Sequence, residues 1–440
     1  MARKPKLITA ERERQQRVYE LLKRGLKLIE NGDELPVEWA REFFPPERRE
    51  YELIYHGKES EEKILADTMA VPLQPVSTFG TNGVDWHNML ILGDNLQAMK
   101  TLLAMKEREE LTNADGTPGV RLIYIDPPFS TKRDFRGSQD QKAYQDKIAG
   151  AEFLEFLRKR LVLLKELLSD DGSIYVHLDW KKAHYVKVLM DEIFGENHLR
   201  NEIIWFYPRG GDADKQYNRK HDTILYYSKS DKWIFNWDKV LIPYSPEQLN
   251  RFKHEDKNGK YYWNVNPRGE RGKTYLRKAG IGEYDVWTLG INASEIRDMG
   301  YPTAKPPKLL EKIIMASSSE GDIVLDAFVG SGTACAVAER LKRRWVGIDC
   351  GKLAIYTVQK RMLNLRSEII NSGKSVVAKP FTLYNAGLYD FETLRQLPWT
   401  DWRFFALQLF ECKDEPHKIR GFQMDGKRQG SSVHVFNHFD

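Results

Sequence analysis

The feature that most constrains the fold lies late in the chain. Ile323-Val324-Leu325-Asp326 is followed by Ala327-Phe328-Val329-Gly330-Ser331-Gly332-Thr333, a helix-forming stretch, and Arg344-Trp345-Val346-Gly347-Ile348-Asp349. Short apolar runs ended by an acid read as buried strands, and a Gly-rich turn that opens a helix between them makes a parallel crossover unit. Such a unit commits the chain to an α/β sheet, because the crossover must pack a helix on the sheet's face. Glycines let a ligand approach the backbone, and the acid at the second strand's tip takes ribose hydroxyls. The dinucleotide fingerprint needs a third glycine where Cys335 stands, so the unit predicts a single nucleoside rather than a dinucleotide.

A second strand end precedes it. Leu122-Ile123-Tyr124-Ile125 reads as another buried strand, and the prolines of Asp126-Pro127-Pro128-Phe129 end it because neither can donate to a ladder. Asp126 therefore stands at a strand's C-terminal end, where open α/β sheets place their chemistry. A carboxylate, the Pro127 carbonyl and the Phe129 ring presented together suit a planar amine. Four residues match many ordinary turns, and their weight comes from the rest of the chain.

That chain alternates. Met89 to Gly93 reads as a strand tipped by Asp94, with a helix from Asn95 to Leu103; AEFLEFLRKRLVLLKELL is a periodic helix turned by Ser169–Gly172 into the strand Ser173 to Leu178; a helix at 182–194 closes at Gly195. His177 reads as a hydrogen-bonded structural histidine. The runs Glu202–Tyr207 and Thr223–Tyr227 are expected to pair antiparallel at the sheet's edge. Residues 1–70 read as a charged, helical N-terminal arm, with Val18, Leu21, Leu22, Leu26 and Ile29 at helical spacing.

The chain has 440 residues, room for two to four units, and with 30% charged residues and no bilayer-length apolar run it is expected to be soluble, cytoplasmic and off the membrane. Cys335, Cys350 and Cys412 share no metal-ligand spacing, so neither a metal site nor a disulfide framework is expected. A net charge of +5 permits a nucleic-acid partner without demanding one. The local signal is stronger: between Lys257 and Lys278 seven lysines or arginines face one glutamate, interleaved with Tyr261, Tyr262, Trp263 and Tyr275. Cations and π-faces in polar turns suit phosphates and bases. The polar loop after Phe129, with Lys132, Arg133 and Arg136, has the same character. Gly272-Lys273-Thr274 and Gly373-Lys374-Ser375 resemble the end of a phosphate-binding loop, but Pro267 and Glu368 occupy the position of its first glycine, so no ATPase follows. At the end, Ser432–Phe436 alternates like a strand that needs a partner from another subunit or from further residues.

D-P-P-F and D-x-F-x-G-S-G-T in one chain, in that order, resemble the β-group of DNA amino-methyltransferases, and IYIDPPFSTKRDF with KRLVLLKELLSDDGSIYV is similar to type III restriction-modification Mod subunits and related solitary adenine methyltransferases. The resemblance spans residues 86–365. It implies a Rossmann-like S-adenosylmethionine-dependent methyltransferase fold with circularly ordered motifs: a catalytic half at 86–230, an inserted target-recognition region at 231–300, a cofactor-binding half at 301–368 and a small C-terminal α+β segment at 376–440. Carried over, Asp126, Pro127, Pro128 and Phe129 are catalytic. Asp94, Asp126, Thr303, Lys305, Asp326, Phe328, Gly330, Ser331, Gly332, Thr333 and Asp349 bind the cofactor, with Asp94 toward its adenine, Asp349 toward its ribose and the Thr303–Lys305 segment toward its carboxylate. Tyr301 departs from the histidine common before that segment. Lys132, Arg133, Arg209, Lys260, Arg268, Arg271 and Lys273 are the expected contacts to double-stranded DNA. A homodimer or a restriction subunit is the partner the resemblance allows.

The implied chemistry is direct. An exocyclic base amine is a poor nucleophile because its lone pair is delocalised, and two fixed acceptors favour a more tetrahedral nitrogen. The base must be extruded from the duplex, with Phe129 stacking on it. No cysteine follows a proline, so carbon-5 cytosine chemistry is unsupported. Aspartate at the first tetrapeptide position favours N6-adenine; N4-cytosine methylation and a non-catalytic DNA-recognition subunit are the alternatives.

Overall fold

The aliphatic runs come together in one sheet. The computed structural model describes residues 19–25, 28, 51–80, 86–128, 134–136, 142–145, 150–208, 214–266, 268–277, 279–290, 304–371, 379–387, 398–409, 412–419, 421–428 and 430–436. Phe129, Lys132, Arg133, Arg209, Tyr301 and Thr303 lie outside them. The chain divides into two units, 1–53 and 54–440. In the first, residues 19–25 are helical, inside the stretch read as a helix.

In the second unit the strands begin with β1 (Leu73–Phe79), β2 (Asn88–Gly93), β3 (Val120–Ile125), β4 (Leu168–Leu178), β5 (Leu199–Phe206) and β6 (His221–Ser228). An insertion carries β7 (His254–Asp256), β8 (Gly259–Val265) and β9 (Arg271–Tyr275). Then come β10 (Val286–Thr288), β11 (Ile323–Asp326), β12 (Arg344–Asp349), β13 (Phe381–Ala386), β14 (Lys413–Ile419), β15 (Phe422–Arg428) and β16 (Ser431–Val433). The helices are α1 (Glu61–Asp67), α2 (Asn95–Glu107), α3 (Ala151–Leu167), α4 (Ala183–Phe194), α5 (Pro307–Ser317), α6 (Thr333–Arg340), α7 (Lys352–Asn371) and α8 (Trp399–Leu409).

Among the described residues the main sheet has ten strands in the order β1-β13-β2-β12-β11-β3-β4-β6-β5-β10. From β13 to β4 neighbouring strands are parallel. β6 runs antiparallel to both β4 and β5. Successive side chains of a strand point to opposite faces. On one face Leu122, Tyr124, Val324 and Trp345 pack with Leu309, Ile313, Val337 and Val358 of α5, α6 and α7. The helices α2, α3 and α4 pack in sequence against one another on the other. Every residue of β3 is buried, as its apolar run requires of a strand covered on both faces.

Several boundaries differ from the sequence reading. The unit boundary falls at 53/54, so α1 belongs with the larger unit and not with an arm over 1–70. The segment before it is strapped to the core: Tyr55 donates to Glu155 at 2.6 Å and Lys58 pairs with Glu192 at 2.8 Å. β4 starts at Leu168, and the expected turn is an irregularity within it: pairing with β3 passes from Val120–Leu168 to Leu122–Ser173, and a Cβ on Gly172 would meet the Val120 carbonyl oxygen at 2.9 Å. Within 231–300, β10 returns to the main sheet beside β5, so the 202–227 hairpin is not its outermost pair. Within 376–440, β13 lies inside that sheet between β1 and β2. Ser431–Val433 pairs with β15 in this chain's own β14-β15-β16 sheet, which removes the need for a partner strand. Among the described residues no helix is long and apolar enough to cross a membrane.

Candidate active site

Four acids picked from sequence share one edge of the sheet. β2, β12, β11 and β3 are consecutive parallel strands; Asp349 and Asp326 close β12 and β11, while Asp94 and Asp126 follow β2 and β3. The crossover from β11 through α6 leads to β12 on one side, and β3 lies on the other. This is the point where connections diverge and leave a crevice outside the strands' C-terminal ends.

Each acid has a distinct environment. Asp349 accepts from the Gly330 N–H at 2.9 Å and the Gly351 N–H at 2.8 Å, one on each oxygen, so both keep a lone pair for a ribose hydroxyl. Burial pushes its carboxyl up, against the pull of those two bonds. Asp326 accepts from the Phe328 N–H at 3.0 Å, and burial, with the charges of Asp126 and Asp349, pushes it well above the ordinary carboxylate range. A cationic ligand would offset the charges that Asp126 and Asp349 impose on Asp326. The turn between β11 and α6 needs its glycines: Gly330 and Gly332 have φ of 46° and 72°, and a Cβ on Gly332 would stand 2.8 Å from Val358 Cγ2 of α7. Arg361 ties the turn down by donating to the Ser331 carbonyl and the Thr333 hydroxyl.

Asp94 has two tasks that sequence did not show. It caps α2 through the Leu96 N–H at 2.8 Å, and its other oxygen accepts from Arg160 at 3.3 Å. The Arg160 guanidinium lies 3.5 Å from the Phe156 ring centroid, and Phe156 packs beside Phe328 at 6.3 Å. Arg160 was missed because it sits mid-helix in a charged run, where spacing does not distinguish a site cation from a solvated one.

Asp126 Oδ2 pairs with Lys305 Nζ at 3.0 Å, which joins the lysine read for a cofactor carboxylate to the tetrapeptide. Asp126 Oδ1 is buried with no hydrogen-bond partner. A buried, unpartnered carboxylate oxygen costs free energy unless a donor arrives.

The basic residues of the insertion divide. Lys260, Arg268 and Arg271 are exposed. Lys273 pairs with Asp256 at 2.6 Å and lies 4.3 Å from the Tyr261 ring centroid, within the β7-β8-β9 sheet. His177 is fully buried and hydrogen-bonded at both ring nitrogens, the structural role expected of it.

Residues 120–360 match the family model described as DNA methylase, which covers N6 and N4 enzymes. The chain belongs to the N6/N4 DNA methylase family. The type II methyltransferase M.EcaI of Enterobacter cloacae is 31% identical to this methylase over 370 residues, 72% of this chain and 78% of the relative. The probable type III restriction-modification enzyme HindVI Mod subunit of Haemophilus influenzae is 24% identical over 61% of this chain and 49% of that protein. A solved M1.HpyAVI–SAM complex shares 22% identity and a TM-score of 0.38 over 62% of this chain and 98% of that one. The methylase takes its methyl group from S-adenosylmethionine. That cofactor fits the crevice described above, where a glycine turn opens α6 and each Asp349 oxygen keeps a lone pair that a ribose hydroxyl could use.

Proposed function

We propose that the methylase transfers the methyl group to N6 of adenine in duplex DNA, directly and in line, onto a base extruded into the crevice. The observation that supports this best is the buried, unpartnered Oδ1 of Asp126, the residue next in sequence to Pro127 and its carbonyl. Those two acceptors take the amine's two N–H groups, hold its nitrogen out of conjugation and aim its lone pair. S-adenosylmethionine supplies an electrophilic methyl on its sulfonium. Extrusion costs a few kcal/mol, which stacking on Phe129 partly offsets. Lys260, Arg268 and Arg271 suit contacts to the DNA backbone, as exposed cations beside exposed Trp263. A homodimer or a restriction subunit remains the partner to seek. A non-catalytic role fits poorly with a chain that keeps both the acceptor pair and the glycine turn.

The test is transfer of labelled methyl to unmethylated duplex DNA, followed by nucleoside digestion and mass analysis. N6-methyldeoxyadenosine is expected from the wild type, with Asp126→Ala slower by at least about a hundredfold. N4-methyldeoxycytidine would replace the base assignment. Bound cofactor with no methylated product on diverse DNA would overturn the reading.

A further inference from the structure

Below the crevice runs a buried polar chain that the chemistry just described does not use. Tyr124 is two residues before Asp126 and therefore on the same face of that extended segment. Its hydroxyl lies 2.8 Å from His177 Nδ1. His177 Nε2 lies 3.1 Å from Asp222 Oδ2, and the Tyr207 hydroxyl donates to Asp222 Oδ1 at 3.0 Å. Trp205 closes the chain from the side, its ring edge-on to His177 at 5.4 Å. Both ring nitrogens of His177 and both oxygens of Asp222 thus have a partner within the chain. Burial opposes a charge on Asp222, but His177, then Lys305, then Tyr207 hold its carboxyl below the ordinary range. Lys305 thus faces two carboxylates, Asp126 by direct contact and Asp222 through its field.

We propose that Lys305 is a positioning residue for methyl transfer: in direct contact with Asp126 Oδ2, it pins that oxygen so that Oδ1 is the one presented to the target amine. This assigns Lys305 a role toward the acceptor, distinct from the cofactor-carboxylate role that its sequence segment suggests. The reason is geometric. A carboxylate on a single-bond pivot samples rotamers, and an ammonium 3.0 Å from one oxygen removes that freedom in a partly buried site. Asp222 acts at one remove, through the field its charge sets up at Lys305.

The inference rests on the methyl-transfer reading, so the experiment measures binding and transfer separately. Wild type, Lys305→Met, Lys305→Arg and Asp222→Asn are compared by equilibrium binding of S-adenosylmethionine, by single-turnover methylation at saturating cofactor and DNA, and by thermal unfolding. For Lys305→Met we expect cofactor affinity within about threefold of wild type and a single-turnover rate lower by about a hundredfold. Lys305→Arg should recover part of that loss, because a cation returns. Asp222→Asn should slow transfer by about tenfold with cofactor affinity unchanged. A Lys305→Met protein that binds the cofactor weakly yet transfers at the wild-type rate once saturated would overturn the inference in favour of a cofactor contact. Asp222→Asn transferring at the wild-type rate would remove the buried chain from it. Absence of transfer by the wild type itself would sink the functional reading, a result separable from either.

Discussion

Asp126 and Arg121 are five residues apart on one chain segment and show the two uses of charge in this molecule. At the entry of β3 the Arg121 side chain is fully buried among three carboxylates: Asp115 at 2.6 Å, Asp322 at 3.4 Å, and Asp171 in direct contact. At the exit, Asp126 keeps one oxygen without a partner. The first arrangement serves the fold, and the second stands at the end of β3 where the proposed reading places the target amine. Removing the cation would take from Asp322, 3% exposed, the counter-charge in contact with it. Arg121→Met is therefore expected to destabilise the protein by about 3–5 kcal/mol, read as a shift in the urea midpoint. The Arg121 cluster was invisible in sequence, because its partners lie at 115, 171 and 322 and meet only when β3 is flanked by β4 and β11. Asp126 was legible because the two prolines mark a strand end locally.

At the scale of elements, α2 and α3 meet through a lysine. Lys106, in the last turn of α2, donates to the carbonyl oxygens of Glu166 at 2.5 Å and Leu168 at 2.7 Å, closing the C-terminal end of α3. Two carbonyls and the negative end of the helix favour a cation there. Burial, then the neighbouring Lys229, nonetheless bring the ammonium down from 10.5 to about 8. Between those values the unfolded chain holds a proton that the folded chain has released, so stability rises with pH across that window. Urea midpoints at either end of the window should show this increment in the wild type and lack it in Lys106→Met. Helix extents were readable from periodicity: α4 closes at Gly195, which has φ of 94°, as its sequence predicted. The Lys106 cap was not, since a terminal lysine in a charged helix reads as solvated until a second helix end is brought against it.

For the whole molecule the decisive arrangement is the strand order. β13 follows the last core crossover by more than thirty residues, yet it slots between β1 and β2, pairing with both over their full length. Truncation after Gly387 keeps that strand and is expected to leave a folded sheet, losing only α8 and the β14–β16 sheet. Truncation after Lys379 removes β13 and bares the edge of β2, a template for aggregation. Far-ultraviolet circular dichroism and size-exclusion chromatography of the two truncated chains would separate these outcomes, and equal behaviour would contradict the pairing's importance. The sequence by itself determined the α/β class, the strand ends that carry Asp126, Asp326 and Asp349, and the glycine turn, because each rests on local backbone chemistry: apolar runs, prolines that stop ladders and glycines that adopt positive φ. Only the tertiary structure decided that β10 and β13 join the main sheet, that Lys305 meets Asp126, and that Tyr124, His177 and Asp222 form one chain. Those depend on which strands become neighbours, a choice made by burial summed over the whole sheet and recorded in no single stretch of residues.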